Sequence, residues 1–171
     1  MTCEAEPVTR ADIVAAIRLA TAEVFSVMLG IDLEAGTDKE GPPEADHSGV
    51  VAVLGLTGAW GGSGEVSCDG ALSLEIARRL LMSECRAVDE EVLDAVAEVA
   101  NMIVGNVKTS LEQMLGPMGL STPAVFFGAD FETRVVGRTM KVLARFSCAA
   151  GSLTVQVAIA PMARTRLRGR S

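Results

Sequence analysis

The chain has 171 residues, 49% apolar and 22% charged, a length and balance that fit one globular domain with a real core and exclude disordered and fibrous classes. Its formal charge of -7 repels polyanions, so no general role on nucleic acid or anionic membrane is expected. Aromatic residues make up 4%, with no Tyr, which leaves the core to Val, Leu, Ile, Ala and Met.

The acidic start MTCEAEP lacks an apolar run, so no signal peptide is expected there. Thr9 and Asp12 have the Thr-x-x-Asp form of an N-terminal cap ahead of the apolar-periodic residues 13–29, which predicts a first helix closed by Gly30. Residues 34–48, with Gly36, Gly41, Pro42 and Pro43 among acids, read as a polar loop that contains His47, the only histidine. The uncharged run 47–64 is nearly long enough for a bilayer, but its glycines favour a buried strand leading into a turn. A hairpin is predicted here, with one strand at 49–57, a turn at 61–64 and a returning strand at 65–68. A second helix follows at 71–82, capped by Asp69 or Ser73. Asp89, Glu90 and Glu91 then open a third helix, where the macrodipole favours acids; it runs to about Leu115 and Gly116-Pro117 ends it. The rest reads as strands at 123–128, 138–148 and 153–160, followed by a basic tail at 163–171. In that tail Arg164, Arg166, Arg168 and Arg170 alternate, and a solvated terminus is expected. The whole predicts an α+β fold, one domain over 1–171, with long helices packed on an antiparallel-rich sheet.

Cys3, Cys68, Cys85 and Cys148 are scattered without a CxxC pair, so reduced thiols of a cytoplasmic protein are expected rather than a zinc site. An internal repeat relates residues 22–30 to 97–105. Glu23 falls on Glu98, Ser26 on Asn101 and Gly30 on Gly105, each pair 75 residues apart. Two pseudo-repeated halves follow from that offset.

On the third helix, Asp94, Glu98 and Asn101 stand at i, i+4 and i+7 and share one face within about 60° of arc. Val96, Val99, Ala100, Ile103, Val107, Leu111 and Met114 take the opposite, core-facing side. Asp94, Lys108 and Glu112 suit an ordinary solvated stripe. Asn101 and Gly105 do not, because Asn costs a few tenths of a kcal/mol and Gly about 1 kcal/mol relative to Ala inside a helix. A carboxamide that both donates and accepts can hold a water, and a helical Gly lets another backbone come close. His47 stands alone in a Pro/Gly/acid loop, where an exposed imidazole is expected rather than a Ser-His-Asp or Cys-His set, and Gly61–Gly64 lacks the Gly-Lys-Ser/Thr ending of a phosphate loop. What remains is a Glu and an Asn on an exposed helix without a nucleophile. Such a pair can position a water for a partner that brings the reactive bond and any metal.

Asp94, Glu98, Asn101 and Pro123 resemble the signature of the CheC/CheX/FliY family of chemotaxis phosphatases: an acid or Ser, three spacers, Glu, two spacers, Asn, and a Pro some twenty residues on. The hairpin, the second helix and the Pro123-Ala-Val strand follow the family's order. CheC-type members carry two Glu-x-x-Asn motifs and CheX-type members one. Here the first copy has Ser26 for Asn and Leu19 where Asp94 stands, so the chain resembles a CheX-like, single-site member with Glu23/Ser26 as a structural remnant. The resemblance implies hydrolysis of the aspartyl phosphate of a CheY-like receiver domain. Asn101 would orient the water, Glu98 would dock on the regulator's active-site Lys, and Asp94, Gly105 and Pro123 would support them. It implies no cofactor of the protein's own, Mg²⁺ supplied by the regulator, and a homodimer formed through the sheets. The alternative is a non-catalytic binding or scaffold module of the same fold in chemotaxis, motor or two-component signalling.

Overall fold

A computed structural model describes residues 7–36, 49–129 and 137–163. The first helix, α1, spans Arg10–Glu23 and begins with the expected capping box. The Asp12 amide donates to Thr9 Oγ1 at 3.2 Å, and the Thr9 amide and hydroxyl donate back to Asp12 Oδ2 at 2.8 and 2.7 Å. Those donors, the hydroxyl first, hold the Asp12 carboxyl below its ordinary value. The α-helix was expected to continue to Leu29. Instead Val24–Leu29 widens into a π-helical segment, and the wider turn brings Val24, Phe25 and Leu29 to the core together. Gly30 ends it in the left-handed conformation, φ 62°.

The sheet is antiparallel throughout, in the order β1-β6-β7-β3-β2-β4, with β5 also on β2. Its strands are β1 (Glu34–Ala35), β2 (Gly49–Gly58), β3 (Trp60–Asp69), β4 (Met118–Leu120), β5 (Ala124–Gly128), β6 (Met140–Cys148) and β7 (Gly151–Pro161). The predicted loop 34–48 thus opens with a short strand on β6, Glu34 opposite Ser147. Residues 37–48, with His47, lie outside the described residues, as do Cys3 and the four tail arginines.

The hairpin turn is displaced from its predicted place. Leu56 pairs with Gly62, so the chain reverses between Gly58 and Trp60 and Gly61–Gly64 belong to β3. These glycines provide room rather than a turn. A Cβ on Gly62 would collide with the Ala158 carbonyl of β7, and one on Gly64 would lie 2.6 Å from Val104. The three-residue β4 escapes the sequence pattern because it is too short to alternate.

Two further helices complete the molecule, α2 (Gly70–Leu81) and α3 (Glu90–Leu115). Asp69 is the cap of α2: it accepts from the Leu72 amide at 2.8 Å and from the Ser152 amide at the start of β7 at 2.8 Å. Ser73 does not cap; its hydroxyl donates to the Gly70 carbonyl. Val50, Ala52, Leu54 and Leu56 of β2, alternate residues on one face, join Val66, Val155 and Val157 against Ile13, Ile17, Phe25, Ile76, Val99 and Ile103 of the helices. Each such buried Val, Leu, Ile or Phe side chain contributes roughly 1.5–3 kcal/mol. Cys68, Cys85 and Cys148 are unbridged. Burial, with a smaller contribution from the Asp69 charge, pushes the Cys68 thiol up to about 12, so it stays protonated. No helix among the described residues is long and apolar enough to cross a membrane.

Candidate functional site

Asp89 starts α3 by accepting the Val92 amide at 3.1 Å, and Glu90 and Glu91 fill the first turn. Val96, Val99, Ala100, Ile103, Val107 and Leu111 are buried as the 3.6 period requires. Met114 is not. It is 38% exposed, because Leu111 and Leu115 take the last core positions of the helix. On the other side Asp94 and Glu98 are exposed, and Asn101 and Gly105 are half-buried. All four lie on the side of α3 that its core contacts leave open.

Further along this stripe the polar residues are committed to structure, which corrects the reading of Lys108 and Glu112 as solvated. Glu112 Oε1 accepts from the Met118 amide at 2.8 Å and from Lys108 Nζ at 3.0 Å, while Lys108 also donates to the Met118 carbonyl at 3.4 Å. The Met118 amide above all, then Lys108, holds the Glu112 carboxyl below its ordinary value. This clamp fixes β4 against α3. Leu120 consequently sits beside Gly105, its Cδ2 3.7 Å from where a Cβ would be. After Leu120 the edge bulges, and Ser121 holds Gly55 from both directions: its amide donates to the Gly55 carbonyl at 2.9 Å, and its hydroxyl accepts the Gly55 amide at 2.7 Å. Pro123, half-buried, closes the bulge before β5.

Glu98 and Asn101 carry no hydrogen bond or ion pair to another described residue, in contrast to Lys108 and Glu112 on the same helix. A carboxylate and a carboxamide about one turn apart are therefore available to a docking molecule. Among the described residues no three His, Cys, Asp or Glu side chains gather as a metal site. The aligned position in the first half is built differently. Ser26 lies in the π-helical segment, where its hydroxyl donates to the Glu23 carbonyl at 3.3 Å, and Gly30 is a left-handed terminus whereas Gly105 is helical. Glu23 and Ser26 face an open depression of about 460 Å³, bounded beyond Gly30 by Ile31, Asp32 and Leu33. The continuous helical face of Glu98 and Asn101 thus has no copy there.

The family described as chemotaxis phosphatase CheX matches residues 50–147. The CheY-P phosphatase CheX of Thermotoga maritima is 28% identical over 122 residues, covering 70% of this chain and 78% of its own. The crystal structure of the chemotaxis protein CheX from Vibrio vulnificus superposes with a TM-score of 0.78 at 25% identity, covering 90% of this chain and 99% of that one. The fold is also that of the Borrelia burgdorferi CheX solved in complex with CheY, BeF₃ and Mg²⁺, with a TM-score of 0.70 at 24% identity, covering 86% of this chain and 97% of that one.

Proposed function

This chain belongs to the CheX family of chemotaxis phosphatases, and from that premise we propose that it hydrolyses the aspartyl phosphate of a CheY-like response regulator through Glu98 and Asn101. The relative from Thermotoga maritima is a CheY-P phosphatase, and the same substrate is assigned here. The observation that carries the residue assignment is the pair itself: an uncommitted carboxylate and carboxamide on the open face of α3.

The acyl phosphate is the reactive group, so the protein has little covalent chemistry to perform and acts by positioning. Glu98, exposed and anionic, docks on a cation beside the receiver's phosphoryl group. Asn101 accepts a hydrogen bond from a water with its carbonyl and directs the water oxygen in line with the bond to be broken. The water oxygen bonds to phosphorus as the bond to the aspartyl oxygen breaks, giving inorganic phosphate and a free receiver carboxylate. The half-buried setting of Asn101 limits its freedom, which favours one orientation of that water. Asp94 supports the docking charge at the rim, Gly105 lets the receiver backbone come close, and Pro123 sets the bulge beside them. Mg²⁺ belongs to the receiver, where it offsets charge on the phosphoryl oxygens; the Borrelia burgdorferi complex contains Mg²⁺ together with CheY.

We further read residues 1–171 as one such domain, working in the cytoplasm as a homodimer. Support for the dimer comes from β5, which has β2 on one side and no described strand on the other.

The test is phosphate release from a phosphorylated receiver domain by the wild type, Asn101→Ala and Glu98→Ala. Acceleration by the wild type with loss in both variants is expected. A wild type that binds receivers without accelerating hydrolysis would make the chain a scaffold module instead.

A further inference from the structure

Phe126 and Phe127 are consecutive residues of β5, 52% and 54% exposed, and a strand sends consecutive side chains to opposite faces. The register separates them. Phe127 pairs with Val50, a member of the helix-side core, and Val125 with Ala52, also of that core. Phe126 pairs with Val51 and points to the other face. Phe127 thus stands on the face of the sheet that carries α3, and α3 packs on β4 and β5 as well as on β2.

Phe127 can be placed along the helix. The chain leaves α3 at Leu115 and enters β4 at Met118, opposite Gly58, so α3 runs from the Val50 end of β2 towards its Gly58 end. Gly105 sits beside Leu120, which pairs with Leu56. From Leu56 back to Val50 the strand covers roughly 20 Å, and so does the helix from Gly105 back to Glu91. Phe127 therefore comes level with the Asp94 end of the Asp94-Glu98-Asn101 stripe, with Val125 between. The polar stripe on the helix is accompanied by an apolar one on the strand: Leu120, Val125, Phe127. The first two are packed against the core and only Phe127 is largely exposed. A ring this exposed on an edge strand has an unfavourable hydration cost that contact with a partner relieves.

We propose that Phe127 is an anchor for the receiver domain, gripping its apolar surface next to the phosphorylation site while Glu98 and Asn101 engage the phosphoryl region. The occupant follows from continuity: a molecule laid across Asp94, Glu98 and Asn101 extends over Phe127 without a break in the surface. This rests on the reading of α3 as the docking helix. An aromatic anchor at the edge of a polar contact supplies affinity that the chemical step does not use, so it acts on KM and not on kcat.

Hydrolysis kinetics on a phosphorylated receiver domain, and titration with the same domain activated by beryllofluoride and Mg²⁺, test the proposal for Phe127→Ala, Phe127→Leu and Phe126→Ala. Phe127→Ala is expected to raise KM about tenfold and weaken the titrated affinity to match, with kcat within twofold and thermal stability preserved. Phe127→Leu recovers most of the loss. Phe126→Ala leaves KM within twofold of wild type. Wild-type KM in Phe127→Ala, or equal losses in kcat and KM, overturns the anchor. Weakened titration by Phe127→Ala in a wild type that does not hydrolyse would uphold the anchor and overturn the catalytic role of Asn101. If the wild type fails to bind, both are overturned.

Discussion

Asn101 shares its helix face with Gly105, and the two are separable by experiment. Asn101→Ala removes the carboxamide without touching the core, so hydrolysis should fall about 100-fold in kcat while affinity for the receiver stays near wild type. Gly105→Ala tests the opposite case. The nearest atom to the added methyl is Leu120 Cδ2 at 3.7 Å, an ordinary contact, and alanine is the better helix former by about 1 kcal/mol. Thermal unfolding should therefore shift upwards by about 2–4 °C, whereas the methyl obstructs the approaching receiver and raises KM. A variant that is more stable and equally active would remove the close-approach role. Such residues were legible in the sequence because they break a local rule: an Asn and a Gly inside an otherwise good helix call for an explanation. Phe127 was not legible, since an exposed phenylalanine acquires meaning only once strand pairing assigns it a face.

The clamp between α3 and β4 gives the elements their own test. Glu112 has its carboxyl depressed below the ordinary 4.5, so its contribution to stability is present above that value and disappears as pH falls through the lower, folded-state value. Glu112→Gln should flatten the acid limb of the stability curve below about pH 4.5 and lower stability near pH 7, where the carboxylate's contribution is present in the wild type. Urea unfolding at a series of pH values measures this, and an unchanged acid limb would deny the clamp any contribution. Gly64 is less forgiving: a Cβ there meets Val104 at 2.6 Å, inside the core, so Gly64→Ala should destabilise by about 1–3 kcal/mol, read as a lower urea midpoint. Periodicity found α2, α3 and the long strands because each has enough residues to show a period. It misplaced the hairpin turn because glycine was read as a turn former, when Gly62 and Gly64 are cleared for Ala158 and Val104. It also missed the π-helical widening at Val24–Leu29, which leaves the apolar pattern of residues 13–29 unaltered and depends on tertiary packing.

For the molecule as a whole, the proposed dimerisation through β5 would make stability depend on concentration. The melting temperature should rise as protein concentration is raised tenfold, and Phe126→Lys, on the face opposite α3, should abolish that dependence while leaving hydrolysis intact. Concentration-independent melting together with a monomer mass in light scattering would exclude the dimer. The sequence path to the site has a kinetic consequence as well. Asp94, Glu98, Asn101, Gly105, Pro123 and Phe127 all come from a single uninterrupted run of chain, α3 followed directly by β4 and β5. The contacts that hold β4 to α3 are short in sequence separation, such as Glu112 with Met118 and Gly105 with Leu120, whereas β5 is held by distant β2, with Phe127 opposite Val50, and loop-closure entropy favours the nearer contacts. The α3–β4 part of the proposed docking surface can therefore form early in folding, and Phe127 joins it when β5 pairs with β2.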